Sequence, residues 1–265
     1  MQQGWKTGFL RSGPLLLEYK LRAQEGKPWL FLLHGYGQDY RCFDPLYSRV
    51  GDRFSLLALH LPFHGESTLE AAFLKPDDWM AALDELFLRT GCNASVAIAF
   101  SMGAKFLLLA AERNPGLFSR VFLLAPDGLV KNPWYRFATS SVAGRLVLRA
   151  IVPLIPGLKG LLHLLAVLKI LRPGMVRFAL SALSSEEGRN RLLKVWPGFR
   201  KIWPDPDGLR KQCSGKLQVS VVLARYDSIL PLKRFRKVRE KEQWISWKTE
   251  ETGHSGLISV FAAKF

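Results

Sequence analysis

Residues 97–106 read Ala97-Ile98-Ala99-Phe100-Ser101-Met102-Gly103-Ala104-Lys105-Phe106, an apolar run that ends on a serine and passes at once into a helical pattern. Ser95 to Phe100 has the continuous apolar character of a buried strand, and residues 104–113 have helical periodicity, stopped by Asn114-Pro115-Gly116. Strand, sharp turn and helix in that order bring neighbouring backbones together, so small residues are needed two before and two after the serine. The same turn exposes the serine hydroxyl at the carboxyl end of the strand. Glycine is usual where Ala99 stands, and the pattern alone also fits a buried serine packing a strand on a helix.

On either side of this segment, Trp29 to Leu33, Phe54 to Leu59 and Val121 to Leu124 repeat the buried-strand pattern, with helical segments between them. Pro76-Asp77-Asp78 opens one of those helices with acidic residues at its positive end, and Met80, Leu83, Leu86 and Phe87 line one face. Residues 5–10 and 15–21 flank Ser12-Gly13-Pro14 and predict an N-terminal hairpin. From about Lys131 strand signals stop and long helical stretches broken by prolines take over. They return at Leu217 to Leu223 and Gln243 to Trp247, around a basic helical segment at 231–241. The expected fold class is α/β, a mostly parallel central sheet flanked by helices with an inserted all-helical cap. The core occupies 1–130 and 213–265, and the cap 131–212.

Charge follows the same division. The 265 residues carry a formal net charge of +16, with 48% hydrophobic and 23% charged residues, which excludes disorder and collagen-like repeats. Residues 1–130 hold 13 basic and 13 acidic groups, residues 131–212 hold 15 against 4, and residues 213–265 hold 10 against 5. Cys42, Cys92 and Cys213 form neither a metal-ligand spacing nor a disulfide framework, and the N-terminus lacks the basic start and apolar run of a signal peptide. A reducing, cytoplasmic setting is expected, with a chain that begins where its fold begins.

A serine hydroxyl needs a base to take its proton, and the base needs an acid to hold its tautomer. His254, in Thr252-Gly253-His254-Ser255-Gly256 after the last strand, is the best-placed base of five histidines; His163 lies in an apolar helical stretch with a packed or solvent-reaching role. Asp227, just past Val221-Val222-Leu223-Ala224, is the preferred acid, and Asp127 after the preceding strand is its rival. Each also fits an ordinary turn or capping aspartate. His34-Gly35-Tyr36-Gly37 after the first central strand is a turn able to aim a backbone N–H at a developing oxyanion, though it also fits a plain tight turn. The Tyr36 and Met102 peptide N–H groups are the two expected donors. His34, Gly35 and Phe100 are the expected substrate contacts.

Together, the His-Gly-Tyr-Gly turn, the segment His60-Leu61-Pro62-Phe63-His64-Gly65-Glu66-Ser67, the Ser101 elbow, Asp227 and His254 resemble the α/β-hydrolase fold family over the whole chain. That family usually has Asp-x-Pro-Gly-His-Gly-x-Ser in the second element, so His60 and Phe63 replace an aspartate and a glycine and predict a loop of different shape. The resemblance implies a helical cap over the active site. It also implies acyl transfer to water, because members with epoxide or halide chemistry carry an aspartate at the elbow. A serine hydrolase of a carboxylic ester is therefore expected, with a small-molecule acyl ester as substrate and neither metal nor organic cofactor. A thioesterase or acyltransferase acting on acyl-coenzyme A or a carrier-bound acyl group shares the same residues, and a non-catalytic binding scaffold is the alternative of another class.

Gly144 to Leu171 is rich in leucine, valine and isoleucine punctuated by Arg145, Arg149, Lys159 and Lys169, which predicts apolar inner faces over a lipophilic acyl group and basic outer ones. Packing of the cap on the core is the blander reading of those leucines. The basic cap suits an anionic membrane surface, with peripheral attachment, an acidic acyl carrier or acyl-coenzyme A, or plain solubility. No nucleic-acid module is recognisable, and Lys233-Arg234-Phe235-Arg236-Lys237-Val238-Arg239 reads as a solvated helix face, with phosphate binding the sharper alternative.

Overall fold

The computed structural model describes residues 4–93, 95–130, 133–171 and 173–265. Its strands are β1 Lys6–Ser12, β2 Leu15–Arg22, β3 Trp29–Leu33, β4 Ser55–Leu59, β5 Thr68–Leu69, β6 Val96–Phe100, β7 Arg120–Leu124, β8 Gln218–Ala224 and β9 Ser246–Glu250. They form one sheet in the order β1-β2-β4-β3-β6-β7-β8-β9, with β5 beside β2. Pairing is parallel from β4 to β9, and the β1–β2 hairpin adds antiparallel strands at one edge.

Every residue of β3 and β4 is buried, which is why these segments are apolar without alternation. Leu30 and Leu32 point into one layer, covered by α1 Asp44–Val50 and, at the far end of the chain, a C-terminal helix over 257–262. Phe31 and Leu33 point into the other, covered by α2 Pro76–Thr90 and α3 Gly103–Arg113. All residues of α3 from Gly103 to Ala111 are buried, so the helix leaving the serine is the most enclosed of the core.

Between β7 and β8 lie α4 Pro133–Ser140, α5 Val142–Ile151, α6 Lys159–Val167, α7 Pro173–Leu183, α8 Glu186–Gly198 and α9 Pro206–Cys213. The first residue of the expected cap, Lys131, lies outside the described residues. Its last helix departs from expectation: α9 packs on α3, with Cys213 Sγ 3.3 Å from the Ala111 carbonyl, so it belongs with the core. The remaining helices are α10 Arg236–Lys241, preceded by a short 3-10 turn at Leu232–Arg234, and α11 Leu257–Ala262.

Two readings are corrected. The last strand lies three residues later than the apolar run around Trp244 implied, because Glu242 to Ile245 close a turn, with the Ile245 N–H donating to the Glu242 carbonyl. The apolar residues of the cap do not all face inward either. Leu146, Ile151, Leu161, Leu164 and Val167 are exposed, and α6 has no buried residue. A helix buries one stripe, and α6, packed on α7, carries apolar side chains round most of its circumference.

Candidate active site

In a parallel sheet all strands end on one side, and ligands are taken up there, where the strand order reverses. β3 and β6 are neighbours although the chain makes β4 between them, so the reversal falls at their carboxyl ends. His34 follows β3 and Ser101 follows β6. Ala125, Asp227 and His254 follow β7, β8 and β9 on the same side.

Ser101 has φ +49°, a left-handed conformation that costs a non-glycine residue about 1–2 kcal/mol. Its N–H donates to the Leu124 carbonyl at 2.8 Å, and its carbonyl accepts the Asp127 N–H at 2.9 Å, so β7 and the turn after it hold the strained residue. Met102 caps the start of α3. Gly103 is required by contact: a Cβ there would lie 2.6 Å from the carbonyl oxygens of Leu33 and His34. Ala99 is fully buried in β6, and its methyl is accommodated.

The His254 ring lies 4.9 Å from that of Phe100, and its Nδ1 is 2.6 Å from Asp227 Oδ2. Asp227 is buried, and its other oxygen accepts the N–H groups of Ile229 and Leu230 at 2.8 and 2.7 Å. Burial pushes the Asp227 carboxyl up, but His254 and these two N–H groups outweigh it and hold the group below the usual range. Of the two candidate acids, then, Asp227 meets the histidine. Asp127 contributes its backbone to the elbow.

The turn after β3 is braced on both sides of Tyr36. The Gly35 N–H donates to the Gln38 side-chain oxygen at 3.0 Å, and the Gly37 N–H to His64 Nε2 at 2.9 Å. Gly35 itself approaches the elbow so closely that a Cβ would lie 3.2 Å from Ser101 Cβ. The Tyr36 side chain leaves the turn for the helices between β7 and β8, packing against the cluster of Val152, Leu183 and Leu192, with its hydroxyl donating to the Gly188 carbonyl of α8 at 3.4 Å. Burial pushes that hydroxyl up to about 12.

Three histidines hold this turn and the 60–67 loop together, each through a backbone N–H given to Nε2: Leu61 to His34, Tyr40 to His60 and Gly37 to His64. Their Nδ1 atoms face the Gly35 carbonyl, Glu18 and the Pro62 carbonyl. His34, expected to contact substrate, is thus buried with both ring nitrogens engaged within the fold, and it shapes the turn instead.

The 60–67 loop keeps a tight form despite its altered residues. Phe63 adopts φ +68° where the resembled family has glycine, its N–H donates to the Ser67 carbonyl, and its ring packs against Phe199 beyond the end of α8. At the position of the missing aspartate, His60 meets a carboxylate from another strand. Glu18 of β2 lies 2.9 Å from His60 Nδ1 and accepts the Glu66 N–H at 2.9 Å. Burial pushes Glu18 up, but Glu66, Lys20 and His60 together bring it down to about 2. Glu18 had no signal in the sequence; only the β2–β4 pairing brings it to residue 60. Among the described residues no three His, Cys, Asp or Glu side chains are grouped to hold a metal ion.

A sheet of this order, an elbow serine in left-handed geometry and a histidine–carboxylate pair on the same side define a hydrolase-type α/β fold. The chain belongs to the alpha/beta hydrolase family, whose model matches residues 30–263. It is 29% identical over 114 residues, 43% of its length, to the uncharacterized hydrolase YugF of Bacillus subtilis strain 168. It is 31% identical over 86 residues, 32% of its length, to a pimeloyl-[acyl-carrier protein] methyl ester esterase of Neisseria meningitidis serogroup B, strain H44/76. The matched stretches span 42% and 31% of those two relatives. A structure from work on carboxylesterases of the ammonia-oxidizing Thaumarchaeon Nitrososphaera gargenis superposes with a TM-score of 0.67 at 16% identity, covering 96% of this chain and 93% of that one.

Proposed function

We propose that the protein hydrolyses a carboxylic ester through an acyl-enzyme on Ser101. The observation that carries this reading is the 2.6 Å contact of Asp227 with His254 on the side of the sheet where the strained Ser101 stands. Ser101 Oγ attacks the ester carbonyl while His254 Nε2 takes its proton, and Asp227 holds Nδ1–H and the charge that forms on the ring. The Tyr36 and Met102 N–H groups stabilise the oxyanion. Collapse breaks the bond to the alcohol, which leaves with the proton from His254. Water, deprotonated by the same histidine, then attacks the acyl-enzyme and releases the acid. Gly35 and Phe100 border the acyl carbonyl. Similarity to a relative named as a methyl ester esterase supports an ester over other carbonyl substrates.

A chain-length series of activated acyl esters, assayed with the unaltered chain and with Ser101→Ala, tests the reading. Turnover that falls by about 10⁴ or more in the variant is expected, with labelling of Ser101 by a fluorophosphonate. A folded protein that neither turns over any ester nor takes the label overturns it in favour of a binding scaffold.

The 15-to-4 excess of basic over acidic residues in 131–212 favours, as a second reading, an acyl group delivered on an acidic carrier or coenzyme A, in a thioesterase or acyltransferase. Acyl-coenzyme A substrates and product analysis with a competing alcohol separate these from ester hydrolysis.

A further inference from the structure

Among the described residues, twelve of the fifteen exposed large apolar side chains fall between Phe137 and Ile170, on consecutive elements of the cap. Val167 is 77% exposed, and α6 buries none of its nine residues. Protein surfaces in water rarely leave so much apolar area together, because each such side chain gains free energy on being covered. The charge of the same region is one-sided. Residues 128–185 contain eight Lys and Arg and not one Asp or Glu. Lys131 and Arg172 lie outside the described residues, and Arg149, Lys159 and Lys169 are exposed among the leucines.

We propose that the exposed side of α5, α6 and the turn between them docks on an anionic lipid bilayer, lying in its interface without crossing it. Leu146, Ile151, Leu154, Leu161, Leu164 and Val167 enter the acyl region, while the arginines and lysines extend their stems to the headgroups. Length sets the orientation. No single helix among the described residues is long and apolar enough to cross a membrane; Val142–Leu154 and Lys159–Val167 reach that length and hydropathy only as a pair, bent by 103°, and Arg145, Arg149 and Lys159 within it favour the interface over a span. Charge sets the occupant. A second copy would bring the same acid-free, basic region against itself, whereas an anionic bilayer satisfies the cations and the apolar side chains at once.

Docking is independent of the chemistry at Ser101, so it is tested without turnover, by co-sedimentation of full-length Ser101→Ala protein with vesicles. Vesicles of phosphatidylcholine mixed with phosphatidylglycerol are expected to bind at least about 30-fold more tightly than phosphatidylcholine alone, a margin that raised salt reduces. Arg149→Glu with Lys159→Glu is expected to remove that margin, and Leu161→Ser with Leu164→Ser to weaken binding by about 10-fold or more. All these positions are exposed, so circular dichroism and melting are expected to match the unaltered chain. Leu164→Trp is expected to blue-shift on adding anionic vesicles. Four results would overturn the proposal: no vesicle binding, equal binding to both compositions, a dimer in sedimentation equilibrium that Leu164→Asp dissociates, or saturable binding of an acidic carrier protein without vesicle binding.

Discussion

His64 Nε2 accepts the Gly37 N–H at 2.9 Å, which ties the 60–67 loop to the turn that carries Tyr36. The bond needs a neutral imidazole, since a protonated ring has no acceptor at Nε2. Burial first, then Arg191 and His60, lower His64 from 6.5 to about 4, against opposing bonds from the Pro62 and Leu61 backbone. His34 is lowered in the same way, by burial and the neighbouring histidines.

Acid is therefore expected to loosen the turn. The unfolded chain takes up a proton at residue 64 as pH falls through 6.5, and the folded chain does so only near 4. The stability linked to neutral His64 is complete above about 6.5, declines between 6.5 and 4 by about 3 kcal/mol, and is constant below. Urea unfolding across this range checks it, and His64→Gln is expected to reduce the slope, leaving the part that His34 contributes. A profile already flat in the unaltered chain contradicts the assignment.

Glu18→Gln is expected to destabilise the protein by about 1–3 kcal/mol near neutral pH, because the amide keeps the shape of the carboxylate but loses charge-assisted bonds with Lys20, His60 and the Glu66 N–H. With Glu18 held at about 2 against 4.5 unfolded, its contribution is present above 4.5 and lost as pH falls toward 2. Thermal melting at neutral pH measures the first effect, and the acid limb of the unfolding profile the second.

Asp227→Asn is expected to lower kcat by about 10³–10⁴, since an amide cannot hold His254 with its charge and tautomer intact. Asp127→Asn is expected to stay within about 10-fold, because Asp127 reaches the elbow through its backbone N–H. Ester turnover and the rate of fluorophosphonate labelling report both, and the opposite ranking would exchange the two aspartates.

Gly103→Ala is expected to cost about 1–3 kcal/mol and lower Tm by several degrees, because the added methyl meets the fixed carbonyls of Leu33 and His34 and pushes α3 from β3. Labelling at Ser101 is expected to slow in the same variant. Unchanged melting would show that the helix can retreat without strain.

The elbow, the parallel core and the candidates at each strand end are legible in the chain before any fold is known. Each rests on a local pattern: five-residue apolar runs buried on both faces, small residues flanking a strained serine, and a helix begun at once. Such patterns record which backbone conformations and faces a short segment can adopt. They do not record which distant segments become neighbours. Asp127 and Asp227 read alike along the chain, and only the adjacency of β8 and β9 sets Asp227 against His254. Glu18 carries no motif, and the β2–β4 pairing alone delivers it to His60. The cap leucines have the composition of a core, and which of them meet water was decided by how few helix faces the surrounding fold can cover.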